Sequence, residues 1–328
     1  MRFRSVYQLA VLVAKSPATV WHLAERLAAE EQSRGVLGGL IARTCVALAT
    51  IDPARVTHML ETVLGRVPDS SAQVRKFAFQ LLADLHLEGL DPRASEMVLA
   101  AAERPDSQDA EVLIHQLRPL MLESGSPKED ERRRRAHELM NRTVGAAAFA
   151  LPALLAPASG SLPPEEIERG RALVRCLEAC AREIYFASGA YDAKHPGDDG
   201  HARTDPSGSA RFLDEIGPAL ERLASTALAP VVHSVVETLE HLLRASPRKG
   251  FELFARAIIA GKDGGYPYDS LAVDVMVRIV SRFLAEHRGL LQDDPELQRA
   301  ILDVLDIFVR VGWPQAQDIT YGLHDIFR

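Results

Sequence analysis

Cysteine is scarce, at 3 residues in 328. That excludes a disulfide-rich scaffold, and the odd count favours a reducing, cytoplasmic compartment. The 21 Gly and 19 Pro are too few for collagen-like order, and 47% hydrophobic residues is too apolar for a disordered chain. No uncharged apolar run reaches the about 18 residues of a membrane-spanning helix, so no membrane partner is expected. No segment alternates at a two-residue period between hairpin turns, so no sheet is predicted.

Charge excludes a further class. The net charge is -7, with 19 Lys and Arg against 19 Asp and Glu in residues 1–164 and 19 against 26 in residues 165–328. The second half therefore repels phosphate backbones unless a local patch overrides its mean charge, which disfavours nucleic acid as a partner. Met1-Arg2-Phe3-Arg4 followed by Val6–Ala14 has the outline of a signal peptide. Gln8 interrupts it, however, and Lys15 stands where a small-residue cleavage motif belongs, so an amphipathic first helix is expected.

What is present is helical periodicity almost throughout. Val20, Leu23 and Leu27 recur at three and four residues, and Leu37, Leu40, Ile41 and Val46 continue the pattern. Asp52-Pro53 and Asp91-Pro92 each read as a cap followed by a first-turn proline. Helices are predicted over 53–65, 72–87, 91–102, 107–122 and 128–155, the last with a break near Gly145. The second half adds 164–188, 209–224, 228–245, 247–259, 269–287, 295–310 and 314–327. Broad apolar stripes suit helices that each touch a hairpin partner and the adjacent pair.

The stretch Val74-Arg75-Lys76-Phe77-Ala78-Phe79-Gln80-Leu81-Leu82-Ala83-Asp84-Leu85 resembles the second helix of a HEAT repeat. In that resemblance small Ala78 permits a close helix approach, Leu81, Leu82 and Leu85 fill the repeat interface, and Asp69 is the turn residue between paired helices. The resemblance covers residues 17–125 and 210–327. It implies an all-α, α-solenoid-like stack of antiparallel helix pairs with irregular repeats, and a binding or scaffolding surface rather than chemistry. Two regions are expected, 1–160 and 161–328, the second interrupted by a polar loop at 189–208.

Several constellations are candidates for chemistry. In the 189–208 loop, His195 and His201 with Asp192, Asp198, Asp199 and Asp205 offer ligands for zinc or manganese. Four Gly and two Pro make a fixed ligand geometry hard to hold, so a solvated loop is expected, with Tyr191 as its one large apolar-bodied side chain. Gly261–Asp269 contains Gly-Lys but lacks the preceding glycines, the following hydroxyl and the strand of a phosphate-binding loop. Its Tyr266 and Tyr268 are candidates for packing or for partner contact. Cys176 and Cys180, one turn apart, read as small buried hydrophobes, as does Cys45. His233, Glu237 and His241 read as a polar helix face.

Lys128–Glu138 carries five positive and four negative residues, with Glu131 and Arg135 four apart. Internal ion pairing explains much of the run. Arg132, Arg133 and Arg135 remain candidates for a partner face if they protrude together. No catalytic set, metal site or cofactor is expected. The leading functional expectation is a non-enzymatic scaffold or adaptor, of bacterial character in its Ala- and Arg-rich usage, binding a protein along an extended surface. The alternatives are nucleic-acid recognition through Arg132–Arg135 and, further off, a metal-dependent enzyme built on the loop.

Overall fold

The structure, a computed structural model, describes residues 8–68, 71–118, 121, 126–155, 162–195, 206–261 and 273–322. Among the described residues every regular element is a helix. Two compact units are present, Met1–Leu120 with Ser124–Thr143 and Met121–Glu123 with Val144–Arg328.

In the first unit α1 is Pro17–Glu30. Next, α2 runs through Arg34–Gly39, a π-helical turn Leu40–Cys45 and Val46–Ala49. They are followed by α3 (Pro53–Arg66), α4 (Ala72–Glu88), α5 (Pro92–Ala102) and α6 (Gln108–Leu117). The Asp-Pro signals work as expected. Asp52 accepts the Arg55 N–H and Asp91 the Ala94 N–H, satisfying first-turn donors that the helix leaves open.

Each helix packs on its sequence neighbour and on the helix two ahead: α1 on α3, α2 on α4, α3 on α5 and α4 on α6, besides α4 on α5. That neighbour-only pattern builds stacked helix pairs, as in HEAT-like repeats. The centre of the unit is α4, whose Val74, Ala78, Leu82 and Leu85 are buried together with Phe79 and Ala83 on other sides. Arg75 joins α4 to α6 through a forked ion pair, its Nε and Nη2 donating to Asp109 at 2.9 and 2.5 Å.

One helix, α7 (Pro127–Leu155), belongs to both units, which part between Thr143 and Val144. It passes Gly145 without the expected break and takes Pro152 into its last turn. The loss of one N–H there falls where few intrahelical bonds remain to be broken.

The second unit continues with α8 (Pro164–Ala187), α9 (Ala190–Lys194), α10 (Pro206–Ala224), α11 (Ala229–Leu242) and α12 (Pro247–Gly261). After these come α13 (Val273–Glu286), α14 (Arg288–Asp293), α15 (Pro295–Val311) and α16 (Pro314–Gly322). With the short α9 and α14 set aside, packing of α8 on α11, α10 on α12, α11 on α13 and α12 on α15 again puts each helix on the one two ahead. Its core includes Phe251, Phe254, Phe283 and Phe308, and the Phe251 and Phe283 rings stack at 4.3 Å.

The polar loop is shorter than the sequence reading. Gly189 takes a left-handed conformation (φ 82°) that ends α8 and turns directly into α9, while α10 already begins at Pro206. Residues 196–205, including His201, Asp198, Asp199 and Asp205, lie outside the described residues.

Candidate protein-binding site

The arginine run sits on the first-unit part of α7, and its charges are turned onto α4. Helix α4 ends at Gly89 (φ 68°), whose N–H donates to the His86 carbonyl while Leu90 N–H reaches back to Leu85. Arg135 donates to the same His86 carbonyl at 2.9 Å. Arg132 Nε and Lys128 Nζ hold the two oxygens of Glu88 at 2.9 and 2.7 Å. Three cations thus meet the end of α4, where helix carbonyls concentrate negative potential.

Arg132, Arg133 and Arg135 do not protrude together, so the condition for a shared partner face is not met. The Arg133 side chain is only 3% exposed and pairs with Asp130 at 3.1 Å. Arg135 also pairs with Glu131, as the four-residue spacing predicts. Arg134, at 62% exposed, is the outward member and is itself held by Glu131 at 2.7 Å. The run is a helix-docking device rather than an open basic face.

Tyr191 has a different setting, in the second unit. Ser188 Oγ donates to the Tyr185 carbonyl and accepts the Ala190 N–H, fixing the turn into α9. The Tyr191 ring then packs edge-on to Tyr185, tilted against Phe186 at 5.1 Å and stacked on His195 at 4.4 Å. Lys194 pins the other side of the short helix, 2.8 Å from Glu237 and 3.4 Å from Glu240 on α11. Arg278 on α13 holds the second oxygen of Glu240 at 2.5 Å.

Burial raises the Tyr185 hydroxyl to about 12, and the Glu237 carboxylate adds to the effect. For Glu240 burial pushes upward, but the Arg278 hydrogen bond and the Arg278 and Lys194 charges outweigh it and leave the carboxyl below its ordinary range. The result is a charged lock under an aromatic cluster whose outermost member, Tyr191, stays 40% exposed. Glu237 faces α9, which the spacing of His233, Glu237 and His241 alone does not reveal.

A second feature went unread in the sequence. Gly145, Ala146, Ala148 and Phe149 of α7 and Pro218, Glu221 and Arg222 of α10, together with Ser225 and Thr226, line a groove of about 1150 Å³. Phe149 is 88% exposed. The available signal was charge: residues 144–164 contain no Asp, Glu, Lys or Arg.

The cysteines are buried and unpaired. Burial raises Cys45 to about 12, and the Cys176 hydrogen bond together with burial raises Cys180. Neither is poised as a thiolate nucleophile. Among the described residues no three His, Cys, Asp or Glu side chains gather to hold a metal, and no helix is long and apolar enough to cross a membrane. Tyr266 and Tyr268 lie outside the described residues.

No protein-family model matches the chain, and no curated protein is significantly similar to it. Among solved structures, a "Circular tandem repeat protein with novel repeat topology and enhanced subunit contact surfaces" is similar over 99% of this chain and 86% of that one. Its identity is 15% and its TM-score 0.30. An overlap that loose carries no argument, and the helix-pair stacking rests on the packing described above.

Proposed function

We propose that the chain is a non-enzymatic cytoplasmic scaffold or adaptor that holds a protein partner, with Tyr191 as an anchor. The observation that carries this reading is the presentation of Tyr191: half-exposed, backed by Tyr185 and Phe186, on a helix locked by Lys194 to two carboxylates. A tyrosine whose torsions are already restricted loses little entropy on binding and offers a large amphipathic contact area. On sequence grounds alone, Tyr266 and Tyr268 are proposed as further contacts.

The test is affinity capture with the full chain as bait in nuclease-treated lysate of the source organism, comparing wild type, Tyr191→Ala and Tyr321→Ala by mass spectrometry. The expected outcome is a small set of proteins lost with Tyr191→Ala, at a cost of about 2 kcal/mol in binding, and kept with Tyr321→Ala. Tyr321 serves as the control because it is exposed and belongs to the distant α16 in sequence. Capture that is indifferent to Tyr191 defeats the reading.

A further inference from the structure

Helix α9 is a five-residue element that leaves α8 through a single turn. Gly189, at φ 82°, sets its direction in a conformation that residues with a side chain adopt only under strain. So short a helix does not hold itself in water, and α9 depends on what it rests against, which is α8 and α11. One attachment is apolar: Tyr191 lies on Tyr185 and Phe186, yet stays 40% exposed. The other is charged: Lys194 Nζ reaches Glu237 at 2.8 Å and Glu240 at 3.4 Å. The amides of Ala193 and His195 donate to the Gly189 and Tyr191 carbonyls, so they report whether the helix is formed.

Neither carboxylate depends on Lys194 alone. Glu240 gives its other oxygen to Arg278 on α13 at 2.5 Å. Glu237 faces the Tyr185 hydroxyl, and His233 Nε2 stands 3.8 Å from the same Glu237 oxygen that Lys194 holds. Breaking a buried ion pair is costly because a charge is left behind without its partner. Here Arg278 stays on Glu240, the more buried of the two carboxylates, when Lys194 leaves. Lys194 is itself partly exposed, and an ammonium is readily hydrated. The two cations also share one carboxylate and repel each other, so each weakens the other's hold. The charged attachment can open without orphaning Glu240.

We infer that α9 is a latched strap, hinged at Gly189 and fastened by Lys194, that alternates between a closed form presenting Tyr191 and an open form exposing the Tyr185 and Phe186 rings beneath it. Its role as a switch on partner binding rests on the adaptor reading; the motion of the strap does not.

The experiment is amide hydrogen exchange of the full chain, read by mass spectrometry on peptides spanning 189–195, with α11 peptides as the internal reference. Wild type, Lys194→Met, Lys194→Arg and Arg278→Met are compared in 10 mM and 1 M NaCl, across which the screening length falls from about 30 Å to about 3 Å. Wild-type α9 is expected to exchange faster at high salt. Lys194→Met keeps the stem and loses the charge, so its α9 should exchange about fivefold faster than wild type at low salt and respond no further to salt. Lys194→Arg should restore the wild-type rate. Arg278→Met leaves Glu240 to Lys194 alone, so α9 should exchange more slowly, the reverse of what losing a merely structural contact does. An α9 that ignores both Lys194→Met and salt overturns the inference, as does an Arg278→Met that speeds α9 with α11 unchanged. If Arg278→Met also speeds α11, the two Lys194 variants and the salt series carry the test. Failure here leaves the capture result at Tyr191 standing, and capture indifferent to Tyr191 defeats the adaptor reading without touching the exchange result.

Discussion

His86 is set between a hydroxyl and a cation. Its Nδ1 lies 3.0 Å from Ser95 Oγ, and its carbonyl receives Arg135. Burial, reinforced by the Arg135 charge, lowers its pKa; burial and Arg244 do the same for His241, against a smaller opposing pull from Asp192. A folded pKa below the unfolded value means that the unfolded chain binds the extra proton first as pH falls. The stabilisation is therefore complete above about pH 6.5, the unfolded value, and is lost as pH drops through the folded pKa values. Thermal melts from pH 7.5 to 5 are expected to show a falling Tm, and His86→Gln and His241→Gln should each flatten that slope. A Tm that rises on acidification over this window contradicts the assignment. Gly89 makes a steric prediction beside it. At φ 68° an alanine is strained, and its methyl would collide with the Arg135 guanidinium. Gly89→Ala should cost about 2–4 kcal/mol, from left-handed strain plus loss of the charged bond to His86. Denaturant melts measure it, and a change below 0.5 kcal/mol would place Arg135 elsewhere.

At the scale of elements, α4 tests the helix-pair packing. Ala78 and Leu82 are fully buried. Leu82→Ala should cost about 2–5 kcal/mol through lost contacts and a cavity, and Ala78→Leu about 1–3 kcal/mol through overpacking. Two null results in urea melts would remove this face from the core. Helix positions were legible because their signals are local: an Asp cap, a first-turn Pro and an apolar stripe repeat at almost every start. Two features were not legible, for a physical reason. The π-helical turn Leu40–Cys45 inserts its extra residue without altering the apolar pattern around it. Helix α9, with five residues, is too short to hold itself in water and exists through Tyr191 on Tyr185 and Lys194 on Glu237, contacts that local sequence does not announce. The candidate site divides the same way. Tyr191 stood out by being the one large amphipathic side chain in a polar stretch. Its lock on α11 and the charge-free groove depend on which helices come together.

At the scale of the molecule the question is what a chain of net charge -7 does with a cluster of four arginines. An open basic face on such a chain would bind phosphate backbones locally, with affinity falling steeply as salt rises. A docked face would do little for binding and much for stability. The geometry is of the second kind, because Arg132 and Arg135 meet the end of α4 and Arg133 is buried against Asp130. Binding to duplex DNA or RNA is therefore expected to be no tighter than the non-specific range, with Kd about a micromolar or weaker at physiological salt. The substitutions separate the two accounts further. Arg133→Glu sets a carboxylate beside Asp130 in a buried position and is expected to destabilise by about 3–5 kcal/mol. Arg134→Glu makes the same charge change on the exposed side, where it loses only the Glu131 pair, and should cost no more than about 1 kcal/mol. Filter binding across a salt titration, read beside urea melts of both variants, decides between them. Nanomolar affinity abolished equally by either substitution, with both variants fully stable, would make the run a nucleic-acid footprint and displace the protein-scaffold reading.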